Sequence, residues 1–158
     1  KRWKIFKFLG GFSLDAFENN LPSTGVVDRI QILQYVSGVG ELELHSDPFL
    51  NQKISIVGIM SKRGEDYKTG GAYILNRNKE KINIEDGLDI GDIYIIYPTV
   101  LHGVQSIDKG HNVDWESFDG RWFMGLYSNA SDIYANRHTG YGVEDALNLE
   151  SEETLHRN

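Results

Sequence analysis

Short β-like runs, each closed off by turn residues, set the strongest limit on what this chain can fold into. The segments Val26–Val36, Glu41–His45, Lys53–Met60, Ala72–Leu75, Ile82–Ile84, Ile93–Val100 and Arg121–Tyr127 are rich in Val, Ile, Leu and aromatic residues. Several alternate with period 2, the signature of a strand with one face buried. Ser37-Gly38-Val39-Gly40, Gly70-Gly71 and Glu85-Asp86-Gly87 punctuate them. Lys1–Leu9 alternates basic and apolar residues and reads as one more strand, with a membrane-surface peptide as the competing reading. Ser13 is placed to cap a short helix through Asn20. About eight strands with little helix between them favour a sandwich, jelly roll or barrel over alternating βαβ units. From Val143 the tail is acidic and weakly helical.

The chain of 158 residues is expected to form one domain over 1–158, with its core between residues 26 and 127. A lysine at position 1 reads as a fragment or an N-terminally trimmed chain. No apolar run approaches the roughly 20 residues of a membrane span, and no signal-like segment opens the chain. A cytoplasmic protein is the expectation, of unspecified oligomeric state. The absence of cysteine excludes disulfides, zinc–thiolate sites and thiol nucleophiles. A net charge of −7 argues against a broad nucleic-acid surface. There is no Gly-x-Ser-x-Gly elbow and no glycine signature of a P-loop or dinucleotide fold.

The chemistry-bearing pattern is His45-Ser46-Asp47 followed by His102. Residues i and i+2 of a strand share a face, so the His45 imidazole and the Asp47 carboxylate converge. His102 follows the most strongly β segment. Two histidines and one carboxylate on adjacent strands make a facial triad for Fe(II) with coordination positions left open. Alternation also puts Glu43 on the face of His45 and Asp47, where it would meet a cationic substrate group. A bulge or a solvated strand end would account for Glu43 equally well.

These residues resemble the Fe(II)/2-oxoglutarate-dependent oxygenases, particularly their prolyl-hydroxylase-like branch. The resemblance runs through Gln31–Asp47, where Tyr35 and a Gly-rich turn precede His-x-Asp, then Gly70-Gly71-Ala-Tyr-Ile-Leu, then Gly91-Asp92 leading to His102-Gly-Val, and finally Arg121. It implies an all-β fold with minor α, a double-stranded β-helix (jelly roll, cupin-like) with an N-terminal helix. It implies that His45, Asp47 and His102 hold Fe(II), that 2-oxoglutarate chelates the metal, and that Arg121 clamps its far carboxylate, a task suited to a planar guanidinium. Tyr35 would hydrogen-bond the cosubstrate and O2 would take the last position. The expected reaction hydroxylates an amino acid, a peptidyl residue or a small metabolite and releases succinate and CO2. Asp47 favours hydroxylation, because related halogenases carry a small residue there.

Two departures from the family pattern stand out. The stretch Asp108–Gly120 between His102 and Arg121 is longer than usual and reads as a loop beside the site, where His111 and Trp115 would touch substrate. With Ser61–Gly70 it is the candidate substrate lid. Phe123 stands where many members have Ser or Thr, so Tyr127 is the candidate second hydroxyl for the cosubstrate. Read without the family, the competing reading of Arg121 is a solvent-facing strand residue beside Asp119 or Glu116, and of Tyr35 a core tyrosine. A cupin-type metalloenzyme that does not use 2-oxoglutarate and a non-catalytic ligand-binding jelly roll are the alternative functions.

Overall fold

A computed structural model describes residues 23, 25–48, 52 and 54–135. The strand expected at Lys1–Leu9, the helix at Ser13–Asn20 and the tail from Val143 lie outside the described residues. Eight strands are present among those described: β1 (Val26–Val36), β2 (Leu42–His45), β3 (Ser55–Ile59), β4 (Gly71–Leu75), β5 (Lys81–Asn83), β6 (Ile93–Ile96), β7 (His102–Gln105) and β8 (Gly120–Ala130). They form two antiparallel four-stranded sheets, of order β1-β8-β3-β6 and β2-β7-β4-β5. The described residues are almost entirely strand and turn. No helix among them is long and apolar enough to cross a membrane.

Seven of the strands answer to the β-like runs of the sequence. The eighth, β7, is a separate strand of the second sheet, whereas the sequence reading ended the preceding strand at Val100 and gave His102–Gln105 no strand of its own. The chain breaks after Ile96, where buried Pro98 carries no N–H for a ladder, and resumes pairing at His102.

The two longest strands pair over their whole length, from Val26 opposite Ala130 to Val36 opposite Gly120. On β1 the usual alternation is inverted. Ile30 and Ile32 face outward and are well exposed, while Arg29, Gln31, Leu33 and Tyr35 face a cavity between the sheets. An antiparallel strand normally turns its apolar set to the core, so polar residues facing inward mark a lined cavity. The apolar packing comes from Ile56, Val57 and Ile59 on β3, Ala72 and Tyr73 on β4, Val104 on β7 and Phe123 on β8, all buried.

The Asp108–Gly120 loop is fastened at one end of the molecule. Buried Asp108 accepts hydrogen bonds from the Lys68 and Thr69 amides (2.7 and 2.8 Å) and from the Ser37 hydroxyl (2.8 Å). Gly38, at φ +92°, lies so near that a β-carbon there would stand 2.5 Å from the His111 carbonyl oxygen.

Candidate metal centre and cavity

His45 closes β2 and His102 opens β7, and the two are direct partners in the antiparallel ladder. Facing partners project to the same side of a sheet, and the imidazoles meet with ring centroids 4.4 Å apart. Asp47 follows after one residue, its amide bonded to the Pro98 carbonyl (2.9 Å). Its carboxylate stands 3.6 Å from His45 Nε2 and 3.7 Å from His102 Nε2. One ligand atom from each of the three side chains falls within 4.8 Å of the others.

The surroundings set the protonation of each ligand. Nδ1 of His45 donates to the Glu43 carbonyl (2.8 Å), and Nδ1 of His102 to the Val100 carbonyl (2.7 Å). A carbonyl only accepts, so each Nδ1 carries the proton and each Nε2 is left to present its lone pair toward Asp47. Asp47 Oδ2 accepts from Gln52 Nε2 (3.0 Å) and Ser55 Oγ (3.1 Å), which orients the carboxylate. Burial opposes charge on Asp47, yet the two histidines and Ser55 hold it below the usual carboxylate range. Burial pushes His102 down and outweighs the pull of Asp47. For His45 burial acts in the same direction, but the adjacent Asp47 carboxylate and the Glu43 carbonyl raise it on balance. A metal would therefore compete with a proton at His45.

The three residues line a cavity of about 310 Å³ between the sheets, at the lower end of the range of small-molecule sites. Tyr35, Tyr127 and Arg121, which sequence reasoning singled out, line it as well. The Tyr127 ring lies over Gly125, where a β-carbon would come within 2.1 Å of it. Burial raises the Tyr127 hydroxyl, so it stays protonated.

Arg121 is buried at 2% exposure and is paired, but not with Asp119 or Glu116. Its partner is Glu85, in the turn after β5. Nε reaches both Glu85 oxygens (2.8 and 3.0 Å) and Nη2 reaches Oε1 (2.5 Å). Glu85 Oε2 also accepts from the Tyr67 hydroxyl (2.8 Å) and the Ala72 amide (2.9 Å). Burial would raise the Glu85 carboxyl, but Arg121 holds it below the usual range. The guanidinium lies 5.3 Å from the Tyr35 ring centroid and 4.7 Å from that of Phe123. Nη2 lies 3.5 Å from the Tyr94 hydroxyl. Nη1 is buried with no hydrogen-bond partner.

Three expected substrate contacts lie elsewhere. Glu43 is exposed and does not line the cavity, because a bulge in β2 shifts the register between Leu42 and His45. Leu42 lines it instead. His111 and Trp115 are exposed and also face away, since their loop is tied to Ser37 and to Lys68-Thr69. Neither the Ser61–Gly70 nor the Asp108–Gly120 loop contributes a residue to the cavity wall. They border a separate depression. Sequence reasoning missed Gln52, Ser55, Glu85 and Tyr94. It also missed Arg29 and Gln31, although their alternation with Ile30 and Ile32 was a visible sign. A search of family models, curated proteins and solved structures found no match to this chain.

Proposed function

We propose that this chain is a non-haem Fe(II)/2-oxoglutarate-dependent oxygenase, built on a double-stranded β-helix, that hydroxylates a small molecule or a peptidyl residue. The observation that carries the reading is the convergence of two Nε2 lone pairs and one carboxylate, each fixed by its own hydrogen bonds, on a single point in a cavity wall. The strand orders β1-β8-β3-β6 and β2-β7-β4-β5 support the fold, being those of an eight-stranded jelly roll.

The donor set suits Fe(II): His45, Asp47 and His102 would hold it and leave positions free. Fe(II) with 2-oxoglutarate and O2 would supply the oxidising chemistry, the oxo acid ending as succinate and CO2. The protein's share is binding and exclusion of water. Arg121 Nη1, buried and unpartnered, needs an acceptor, and a carboxylate oxygen is a fitting one. Glu85 keeps the guanidinium in one orientation, and the Tyr35 and Phe123 rings wall it from solvent. Tyr35, Tyr94 and Tyr127 carry hydroxyls on the cavity wall that can orient ligand oxygens.

One observation favours a second reading. Glu85 already occupies two of the three Arg121 nitrogens, so the guanidinium cannot offer the cosubstrate a full two-pronged grip. A cupin-type metalloenzyme that does not use 2-oxoglutarate has no need of that grip. Anaerobic titration of the metal-free protein, first with Fe(II) and then with 2-oxoglutarate, separates the two. A visible charge-transfer band that disappears in His102→Ala and Asp47→Ala supports the oxygenase. Metal binding without the band favours the cupin-type enzyme, and no metal binding removes both.

A further inference from the structure

Two buried side-chain nitrogens among the described residues have no hydrogen-bond partner: Arg121 Nη1 and Asn129 Nδ2. Both belong to β8, on the face that lines the cavity. Eight positions at about 3.3 Å per residue put them on the order of 25 Å apart along the strand. One small ligand cannot satisfy both. If Arg121 serves the cosubstrate, Asn129 calls for a second acceptor at the opposite end of the cavity.

Asn129 has company there. It pairs with Val27, and Tyr127 pairs with Arg29, so Arg29 and Asn129 are diagonal neighbours across the β1–β8 ladder. Diagonal neighbours stand about 7–8 Å apart, within the reach of long side chains. Gln31, two residues along β1, lines the same wall. Arg29 makes no hydrogen bond or ion pair among the described residues. Among the described residues the charged groups of the cavity wall are Arg29, Arg121 and Asp47, and Glu85 neutralises Arg121. The unopposed charge at the Asn129 end is therefore positive, on a chain whose net charge is −7.

We propose that Arg29, Gln31 and Asn129 form an anion subsite that holds the carboxylate of a small organic acid. That this acid is the substrate rests on the oxygenase reading; the subsite itself does not. A charged fork from Arg29 and an amide donor from Asn129 suit a carboxylate better than its uncharged amide. The inverted alternation of β1 is what turns Arg29 and Gln31 inward to meet it.

The test is an NMR titration of the ¹⁵N-labelled, metal-free protein with propionate, butyrate and hexanoate, and with their primary amides, at neutral pH. The expected result is a saturable shift of the Asn129 side-chain amide with the acids, and affinity weaker by roughly tenfold or more for the amides. Arg29→Gln, at an exposed position, should erase that preference, and Arg29→Lys should keep most of it. Asn129→Asp, which puts a negative acceptor in place of the donor, should abolish acid binding. Equal shifts with acids and amides would overturn the proposal. So would acid affinity unchanged in Arg29→Gln, or no shift of the Asn129 amide up to the solubility of the acids. Because no metal is used, failure here is distinguishable from failure of the oxygenase reading. Acid preference without an Fe(II)–2-oxoglutarate band leaves the subsite and removes the oxygenase, and a band without acid preference does the reverse.

Discussion

His45 and His102 each spend one ring nitrogen on a backbone carbonyl, and this leaves the other nitrogen able to serve a metal. Truncating either ring removes a donor but no core packing, since neither belongs to the buried apolar set. His102→Ala should therefore lower metal affinity by more than the roughly 10–100-fold that loss of an outer-sphere partner costs. The metal-free melting temperature should change little, and calorimetric titration beside thermal unfolding reads both. Ser55→Ala belongs to the outer-sphere class. It removes one of two hydrogen bonds to Asp47 Oδ2 and should weaken metal binding about tenfold, with Gln52 still in place. An unchanged affinity would mean that Gln52 alone orients the carboxylate.

Among the elements, β8 and β1 contribute four residues each to the cavity, β8 through Arg121, Phe123, Tyr127 and Asn129. Gly125 is what lets the Tyr127 ring fold back along the strand. Gly125→Ala should displace that ring and destabilise the protein by about 1–3 kcal/mol, the usual cost of overpacking. Denaturant unfolding checks the cost, and Tyr127→Ala in the same background should recover part of it. The strands themselves were legible because period-2 patterning and glycine turns carry a strong local signal. His45 and Asp47 were legible for the same reason, since a spacing of two on a strand fixes a shared face. What escaped was set by tertiary contact. Glu85 sits in an acidic turn that reads like any solvated one, and nothing local distinguishes a carboxylate that will meet a buried guanidinium from one that will meet water. The bulge in β2 exchanged Leu42 for Glu43 at the cavity wall, because a one-residue shift in register moves a side chain to the other face. The Asp108–Gly120 loop seemed close to the site from its place in the chain, but Asp108 fastens it elsewhere.

Across the whole molecule, Arg121 and Glu85 tie one sheet to the other, β8 reaching the turn that follows β5. Both groups are almost wholly buried. Removing the charge from one side should cost about 3–5 kcal/mol, because the other is left uncompensated. Glu85→Gln is expected to show that loss in chemical denaturation at neutral pH. The same pair gives the fold an acid limb. Glu85 is held below its ordinary value, so its contribution is complete above the unfolded value of about 4.3. It is lost as pH falls through the folded value, where the unfolded chain binds the extra proton. The wild-type protein should therefore lose stability steeply below about pH 4, and Glu85→Gln should flatten that limb while lying lower throughout the neutral range. An acid limb unchanged in Glu85→Gln would assign it to other carboxylates.

The long β1–β8 ladder also has a consequence for how the protein is made. Its two strands lie near opposite ends of the described chain, and β8 separates β1 from the rest of its sheet. During synthesis β1 leaves the ribosome well before β8, its one strand partner among the described residues. At about 5–20 residues per second, an interval on the order of 90 residues leaves it waiting roughly 5–20 s. Through that time Ile30 and Ile32 stand on an open strand edge, which is a template for self-association. The cavity wall carrying Arg29, Tyr35, Arg121 and Tyr127 thus forms last, in one late closure, and a nascent chain cut before β8 should aggregate rather than fold.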